Sequence, residues 1–533
     1  MHPVVALVAS GMSSSPALPS DPEELKALAR ALQAELYAKT LMIEKLKAQL
    51  AVLRRARFGR SSEKLDHDIQ QLELLIGDLE EGEAESQART AAAAPSSRPT
   101  ASEAPAAKGR RPLPEHLPRE VVRHEAPCAC PECGGTVFSQ IGEDEREVLE
   151  YVPSHFKVLK HVRPKLSCRA CETIVQAPMP SLPIERGRPG PKLLAHVVVA
   201  KYCDHLPLYR QSEIYARSGL ELDRSTLADW VGQMSFLLTP LAEVIGRHAR
   251  AGPAIHADDT PVPVLDPGRG RTKTGRLWTL VRDERPWGGP APPAAFYLYS
   301  PDRRGEHAET LLGTCRGHLH ADGYAGFGSL YAPDPKTQVP RLVEVACWAH
   351  ARRKVYEVHA ATGSAAAQAI LAGMAALFEM EADIRGRSPA ARVAVRQTRS
   401  VPLLADLAAL MDQTLARISG KSSLAQAIRY ARSRWEALCR FAADGRLEMT
   451  NNAAERAIRP LALGRKNYLF AGSDTGGARA AAMYTIIETA KLNGLDPEAY
   501  LADVLSRIAD HSAARIDELL PWRWEGPEQR EAA

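Results

Sequence analysis

The chain has 533 residues, enough for several domains, with 45% hydrophobic and 25% charged residues, both ordinary for a soluble protein. Nine cysteines are too few for a disulfide scaffold, and no apolar run reaches the roughly 18 residues that a membrane span needs. The formal net charge of +4 does not by itself indicate a nucleic-acid partner.

The first part of the chain is predicted to be helical and basic. After residues 1–21, which we expect to be disordered, leucines at 3-4 spacing predict a helix over 22–56 and a second one over 62–81. The pattern fits a short coiled coil, and so a dimerisation element, as well as it fits an amphipathic helix packed on its own chain. The helical region as a whole, 22–83, ends at a linker, 84–112, that is rich in Ala, Ser and Pro. Its basic cluster includes Arg54, Arg55 and Arg57.

Two Cys-x-x-Cys pairs predict a structural zinc site within residues 113–185. The pairs are Cys130 with Cys133 and Cys168 with Cys171. Four thiolates fill the tetrahedral coordination shell of zinc, so this ion should be structural and the compartment reducing. A zinc ribbon with short strands accommodates the long gap between the pairs as a β-hairpin. A redox function is disfavoured because two pairs are present and no thioredoxin-like βαβ pattern surrounds them.

Residues 186–250 are predicted to be helical. A helix, a short turn and a further capped helix are compatible with a DNA-binding helix-turn-helix, and equally with a plain helical connector. From residue 251 the pattern changes to strands, then returns to helix over 341–445. The expected architecture is therefore multidomain α/β, with an α/β domain at 251–490 that carries a helical insertion, and a C-terminal helical segment at 491–533.

Three acidic positions could form a metal site. Asp258, followed by Asp259, and then Asp322 stand where an apolar strand gives way to a loop, and Glu455 opens a helical stretch rich in arginine. Phosphodiester cleavage can use two Mg²⁺ ions held by carboxylates about 3.5–4 Å apart. Two other interpretations remain open: each aspartate could start a turn, and Asn452 with Glu455 has the spacing of a helix capping box.

Many sequence blocks in one order resemble the insertion-sequence-sixty-six (TnpC-type) transposase family over residues 25–520. The blocks are LRRARFGRSSEKL, CPECGG with CRAC, KYCDHLPLYRQSEIYARSGLELDRSTLADWVG, HADDTPV, GRLWTLVRD, YSPDRRGEHAETLLGTCRGHLHADGYAGF, CWAHARRK and NNAAERAIRPLALGRKNYLFAGS. The resemblance implies an RNase H-like catalytic domain, the Asp-Asp-Glu chemistry of DNA strand cleavage and transfer, and two Mg²⁺ or Mn²⁺ ions. By motif match, Asp258 is the first acid, Asp322 the second and Glu455 the third, with Asp259 where the family more often has Glu.

The same resemblance suggests accessory residues and partners. Cys347 and His350 are similar to a Cys-x-x-His signature between the second and third acids of other transposase superfamilies; with only two ligands, they are predicted to hold no metal. Expected partners are DNA, a second copy of the chain and accessory transposition proteins, with no membrane and a bacterial cytoplasmic location. A nuclease of the same fold without strand transfer and a non-enzymatic zinc DNA-binding protein are the alternatives. Further phosphate-binding candidates are Arg353, Lys354, Arg456, Arg459, Arg465 and Lys466.

Overall fold

The structure is a computed structural model that describes residues 42–43, 46, 113–126, 128–152, 155–185, 187–266, 271–335, 337–464, 467 and 471–526. Most of the predicted coiled coil and the whole of the linker 84–112 therefore lie outside the described residues. So do five of the predicted DNA-binding side chains: Arg54, Arg55, Arg57, Arg465 and Lys466.

A small sheet holds the cysteine pairs. Its strands are β1 (Arg119–Arg123), β2 (Phe138–Val152), β3 (His155–Cys168) and β4 (Ile174–Gln176), with β3 between β1 and β2 and β4 also paired to β3. The prediction of short strands was wrong for β2 and β3, which have 15 and 14 residues. They form one long antiparallel hairpin in which Phe138 is opposite Cys168, and this hairpin brings the two distant cysteine pairs together.

Three helices follow the small sheet: α1 (Pro191–Tyr202), α2 (Leu208–Arg217) and α3 (Arg224–Arg250). Helix α3 contacts the large sheet described below, and it buries side chains along its whole length, from Leu227 to Ala249. A recognition helix needs a free face to enter a DNA groove. Helix α3 packs one face on the core and has exposed residues such as Glu243 and Arg247 on the other, so the helix-turn-helix and the connector interpretation both stay predictions.

The large sheet has five strands in the order β7-β6-β5-β8-β9. Strands β5, β6 and β7 pair antiparallel, whereas β8 pairs parallel to β5 and β9 parallel to β8. Helix α4 (Gly305–Leu312) connects β7 to β8, and the single turn α5 (Gly328–Tyr331) lies between β8 and β9. The strand bounds are β5 (Ala254–Asp266), β6 (Arg271–Arg282), β7 (Ala294–Ser300), β8 (Gly317–Ala321) and β9 (Leu342–Ala346).

The structure corrects two expectations about this sheet. Strand β5 does not break after Asp259 but continues through Pro261 and Pro263 to Asp266. The prolines are tolerated because this stretch has passed the end of its pairing with β8; the Pro263 carbonyl accepts a bond from Ala471 on that same edge. Secondly, the helical insertion begins only after β9, because residues 342–346 form the last strand of the sheet.

The insertion has a hydrophobic core of its own, formed by residues that include Trp348, Met374, Leu407 and Phe441. Its helices are α6 (Trp348–Thr362), α7 (Ala365–Asp383), α8 (Pro389–Val395), a π-helical turn (Arg396–Ser400), α9 (Val401–Arg417), α10 (Ser423–Ser433) and α11 (Trp435–Cys439). Among the described residues, α7 alone is long and apolar enough to cross a membrane by length and composition. Its buried side chains recur at 3-4 spacing and belong to the insertion core, as in a core helix.

Three helices complete the α/β domain: α12 (Asn452–Gly464), α13 (Asp474–Leu492) and α14 (Pro497–Arg507). Helix α12 packs on β5 and β6, and α13 packs on β7 and α3. Both helices join a core that extends from the first three helices through the large sheet. Short 3-10 turns are found at Arg285–Trp287, Ala325–Phe327, Arg440–Ala442, Ala513–Leu519 and Pro521–Arg523.

Candidate active site

The first two acids of the predicted set are carried by neighbouring parallel strands: Asp258 lies on β5, and Asp322 directly follows the last residue of β8. His256 on β5 is paired with His320 on β8, and Asp258 and Asp322 each follow two residues later. Because side chains alternate between the faces of a sheet, Asp258 belongs to the same face as the two histidines. Asp322, one residue past the end of β8, is near enough for its charge to raise the pKa of Asp258. The parallel pairing of β5 and β8 thus places both carboxylates at the same end of the sheet, where β8 ends and β5 continues beyond it.

The electrostatic surroundings of Asp258 are those of a crowded acidic site. Partial burial raises its pKa from 3.8 to about 7, with further increases from the charges of Asp322, Asp259 and Glu455, against one lowering hydrogen bond from the Asp259 backbone N–H. The charges that raise its pKa are therefore three neighbouring carboxylates. Like charges held together in a partly buried site favour either protonation or the binding of a cation.

Asp259, the neighbouring acid, is already paired. Arg276 donates to one of its oxygens at 2.9 Å and Arg303 to the other at 2.7 Å, and its side chain is only 2% exposed. With both oxygens accepting from guanidinium groups, Asp259 is a structural partner of β6 and of the loop after β7. Asp258 has the freer carboxylate.

Asn451 fixes the position of the third acid. Its side chain is fully buried, donates to the Ala257 carbonyl at 2.9 Å and lies 3.2 Å from Nδ1 of His256. Glu455 lies one helical turn further on, and its backbone N–H donates to the Asn451 carbonyl at 3.2 Å. The amide of Asn451 therefore joins the first turn of α12 to the strand residue that immediately precedes Asp258. Glu455 is thereby close enough to Asp258 for its charge to raise the pKa of that aspartate.

The capping-box interpretation of Glu455 does not fit this geometry. In a capping box the glutamate side chain returns to the backbone N–H of the cap residue. Oε1 of Glu455 is instead buried without a hydrogen-bond partner and lies 3.6 Å from Nδ1 of His350. The carboxylate points away from its own helix terminus, towards the start of α6.

Cys347 and His350 stand directly beside Glu455. Cys347 precedes α6, and its buried sulfur accepts from the backbone N–H of Asn451 at 3.2 Å. The ligand atoms of Cys347, His350 and Glu455 all lie within 4.8 Å of one another. Cys347 and His350 were predicted to hold no metal because the sequence showed only two ligands. The fold places a third possible ligand, Glu455, beside them.

A cleft of about 610 Å³ leads to Glu455 between α6 and α7. Arg352, Arg353 and Tyr356 line it from α6, and Phe378 lines it from α7. Arg353 is exposed to solvent there, as are Arg456 and Arg459 on α12. Lys354 is exposed on α6 with its Nζ 4.7 Å from the Tyr430 ring centroid. Four predicted phosphate ligands thus lie on the two helices that flank the third acid.

The four cysteines of the small sheet form the second candidate site. The sulfurs of Cys130 and Cys171 are 3.4 Å apart and those of Cys133 and Cys168 are 3.7 Å apart. Zinc–sulfur bonds of about 2.3 Å in a tetrahedron require sulfur separations of about 3.8 Å. Backbone bonds from Gly134 to Cys130 and from Glu172 to Cys168 close a tight turn at each pair. The cluster therefore fits structural zinc.

Comparison with protein families identifies the chain. The model described as "Transposase IS66 family" matches residues 186–479, more than half of the sequence. The chain belongs to the IS66 transposase family. Its remaining parts match three further models: "IS66 C-terminal element" at 485–522, "zinc-finger binding domain of transposase IS66" at 127–172, and "Transposase C of IS166 homeodomain" at 45–122. The homeodomain-like and zinc-finger matches indicate DNA binding.

Relatives of this IS66 transposase cover nearly its whole length. "Uncharacterized protein y4hP" of Sinorhizobium fredii is 42% identical over 501 residues, which are 92% of this chain and 89% of the relative. "Uncharacterized protein y4qI" of the same organism is 38% identical over 534 residues, 95% of this chain and 98% of the relative. The resemblance inferred from the sequence blocks is confirmed.

Several residues of the site were not assigned from sequence. Asn451, His256 and His320 each belong to a matching sequence block. A block does not show, however, whether a side chain positions a catalytic residue or only fills the core. The arginine partners of Asp259, Arg276 and Arg303, belong to blocks far from it in sequence. Only the sheet register and the helix packing assemble these side chains around the acids.

Proposed function

We propose that this IS66 transposase cleaves DNA strands at the ends of its insertion sequence and joins the freed 3′ ends to target DNA. The observation that carries the proposal is the meeting of three carboxylates, those of Asp258, Asp322 and Glu455, which arrive from two strands and a helix. The core in this proposal is RNase H-like. The mixed sheet, with an antiparallel half and a parallel half joined at β5, supports that assignment.

The residues present fit two Mg²⁺ or Mn²⁺ ions. These cations prefer carboxylate oxygens and keep room for water and phosphate. Three carboxylate charges raise the pKa of Asp258, and Oε1 of Glu455 is buried without a hydrogen-bond partner. A bound divalent cation would offset the repulsion between the carboxylates and would give Oε1 of Glu455 a partner. When bound, the ions lower the pKa of the attacking hydroxyl or water and stabilise charge on the leaving oxygen.

The protein's own residues hold and orient the reacting groups. Asp258, Asp322 and Glu455 bind the ions, and Asn451 holds Glu455 against β5. Arg352 and Arg353 in the cleft, with Arg456 and Arg459 on α12, bind the phosphates on either side of the scissile bond. Because water and a DNA 3′-OH can occupy the same attacking position in turn, cleavage and joining need no covalent protein–DNA intermediate.

Other parts of the chain serve DNA recognition in this proposal. The zinc module and the basic N-terminal helix bind the terminal repeats. Cutting at two ends requires two catalytic centres, so we propose a homodimer or larger assembly, assisted by accessory proteins, in the bacterial cytoplasm. The zinc-finger and homeodomain-like matches support the DNA-recognition part of this proposal.

An oligonucleotide assay tests the proposal. One substrate carries an intact element end and the other a pre-cleaved 3′-OH end, each with target DNA and Mg²⁺ or Mn²⁺. We expect cleavage of the first and joining of the second by the wild-type chain, with both lost in Asp322→Asn while DNA binding persists. Asp406→Asn, an exposed aspartate of the insertion, is the matched control and should keep both activities.

The alternatives predict different results in the same assay. Cleavage without joined product would indicate a nuclease. Equal behaviour of wild type, Asp322→Asn and Asp406→Asn would indicate a DNA-binding protein with structural acids. Either result contradicts the proposed strand transfer.

A further inference from the structure

Three side chains of different chemistry meet at the start of α6. The sulfur of Cys347, Nδ1 of His350 and Oε1 of Glu455 lie mutually within 4.8 Å, and the last two are 3.6 Å apart. Cys347 is buried, and the side chains of His350 and Glu455 are only 25% and 29% exposed. Thiol, imidazole and carboxylate are the three side-chain ligand types that zinc uses in proteins.

Two of these three donors make no hydrogen bond in the protein and face one another at 3.6 Å. Nδ1 of His350 and Oε1 of Glu455 are both buried and make no hydrogen bond. Buried polar atoms are nearly always satisfied, and an orphaned pair indicates a missing ion or water. The sulfur, for its part, accepts the backbone N–H of Asn451 at 3.2 Å, a contact that fixes its position beside the other two donors.

We propose that Cys347, His350 and Glu455 form a binding site for one zinc-type divalent cation, separate from the four-cysteine zinc. Tetrahedral ligands of zinc lie about 3.3–3.8 Å apart, so donors that lie within 4.8 Å need to approach one another by at most about 1.5 Å. The fourth position opens to the cleft through Glu455, which lines it and gives the ion a path from solvent. Mg²⁺ is excluded because it prefers oxygen ligands to a thiolate and an imidazole.

The two metal sites share one carboxylate. A zinc ion on Cys347 and His350 holds Glu455 on the α6 side and withdraws its charge from Asp258 and Asp322. Zinc therefore inhibits Mg²⁺-supported cleavage, a consequence that rests on the proposed function. The binding of zinc to the triad does not rest on it, since the three donors are positioned by α6 and α12.

Zinc counting on the full chain tests the site directly. The purified protein is equilibrated with buffered Zn²⁺ alone and the bound metal is measured by atomic emission. We expect two zinc ions per wild-type chain, one in the four-cysteine cluster and one in the triad. His350→Ala and Cys347→Ser should retain one, with at least a tenfold weaker second affinity, because even residues that only orient zinc ligands contribute about 10–100-fold.

A matched control distinguishes the loss of a zinc ligand from the mere loss of a cysteine or from unfolding. Cys439→Ser removes a half-buried cysteine of the same insertion and should still bind two ions. His350→Ala removes a partly exposed side chain, so it decides the question if Cys347→Ser fails to fold. One zinc per wild-type chain, or two in a folded His350→Ala chain, would overturn the site.

A second readout tests the consequence for catalysis. The Zn²⁺ concentration that halves Mg²⁺-supported cleavage should rise at least about tenfold in His350→Ala. Two zinc ions on a chain that cleaves no DNA would leave the site standing and refute the proposed function. Normal cleavage by a chain that holds one zinc would refute the site and leave the proposed function standing.

Discussion

His256 and His320 stack face to face, with ring centroids 4.1 Å apart and ring planes 16° from parallel, on the strand residues that lead to Asp258 and Asp322. Both rings are buried. Burial lowers the pKa of His256 to about 4 and that of His320 well below its usual value. The stack is therefore uncharged at neutral pH. It supports the two carboxylates sterically and leaves their negative charge available for cations.

The raised pKa of Asp258 predicts a pH-dependent stability of the metal-free protein. Its pKa of about 7 in the folded chain exceeds the ordinary 3.8. The folded state thus binds more protons than the unfolded state between these values, and the free energy of unfolding falls as pH rises from about 4 through 7. The penalty above pH 7 is at most about 4 kcal/mol, at about 1.4 kcal/mol for each factor of ten in proton affinity.

Asp258→Asn removes this titration. In Mg²⁺-free buffer we expect the variant to melt at a higher temperature than wild type at pH 8 and at about the same temperature at pH 4. Scanning calorimetry across this range is the measurement. Added Mn²⁺ should raise the wild-type melting temperature and leave that of the variant unchanged. The prediction would be wrong if the wild-type chain became more stable relative to the variant as the pH rose from 4 to 7.

The pairing of Asp259 with two arginines predicts unequal roles for adjacent acids. Asp259→Asn keeps one oxygen that accepts from an arginine and replaces the other by an NH₂ group that cannot accept, so one of the two pairings is lost. Because neither pairing involves a metal ligand in this proposal, the variant should retain cleavage within about tenfold of wild type. Asp258→Asn should lose at least about a hundredfold, since even groups that only orient metal ligands contribute 10–100-fold. Cleavage rates at saturating Mn²⁺ make the comparison. If the cleavage rate fell further in Asp259→Asn than in Asp258→Asn, Asp259 and not Asp258 would be the metal ligand.

Asn451 is predicted to act as a positioning residue for Glu455. Asn451→Ala breaks its bonds to Ala257 and His256 and leaves a buried carbonyl unsatisfied, which should cost about 1–3 kcal/mol of stability. Cleavage should fall at least about tenfold while the affinity for DNA is kept, because α12 loses its attachment beside Asp258.

Asn493 offers the matched control for Asn451. Its side-chain amide also donates to backbone carbonyls, those of Pro293 and Thr489, but at the C-terminal end of α13. Asn493→Ala should cost a similar amount of stability, measured by thermal unfolding, without a specific loss of cleavage. Equal cleavage in the two folded variants would show that Asn451 serves stability alone.

Removal of zinc from the four-cysteine cluster should unfold its two turns and spare the hairpin. Metal binding supplies much of the folding free energy of such small sites. Hydrogen exchange should therefore accelerate at the amides of Cys130, Gly134 and Cys168, whose bonds close the turns. The paired amides in the middle of β2 and β3 should stay protected after chelation. Unchanged protection at the turns would mean that the cluster is stable without metal.

The sequence by itself determined the chemistry that depends on local spacing. A Cys-x-x-Cys turn directs two sulfurs at one point whatever surrounds it, so four zinc ligands were identifiable from the letters alone. The ordered blocks likewise identified the family and nominated Asp258, Asp322 and Glu455. Helical periodicity also located the insertion, except that it included β9, the last strand of the large sheet, whose five residues are too few to carry a reliable pattern.

Only the tertiary structure decided which neighbours these residues have. His256 and Asn451 meet across 195 residues of chain, and that contact is set by the packing of α12 on β5. The pairing of Asp259 with Arg276 and Arg303, and the meeting of Glu455 with Cys347 and His350, arise in the same way. Spacing along a chain fixes geometry over a turn or two, whereas contacts between distant segments depend on how whole elements pack.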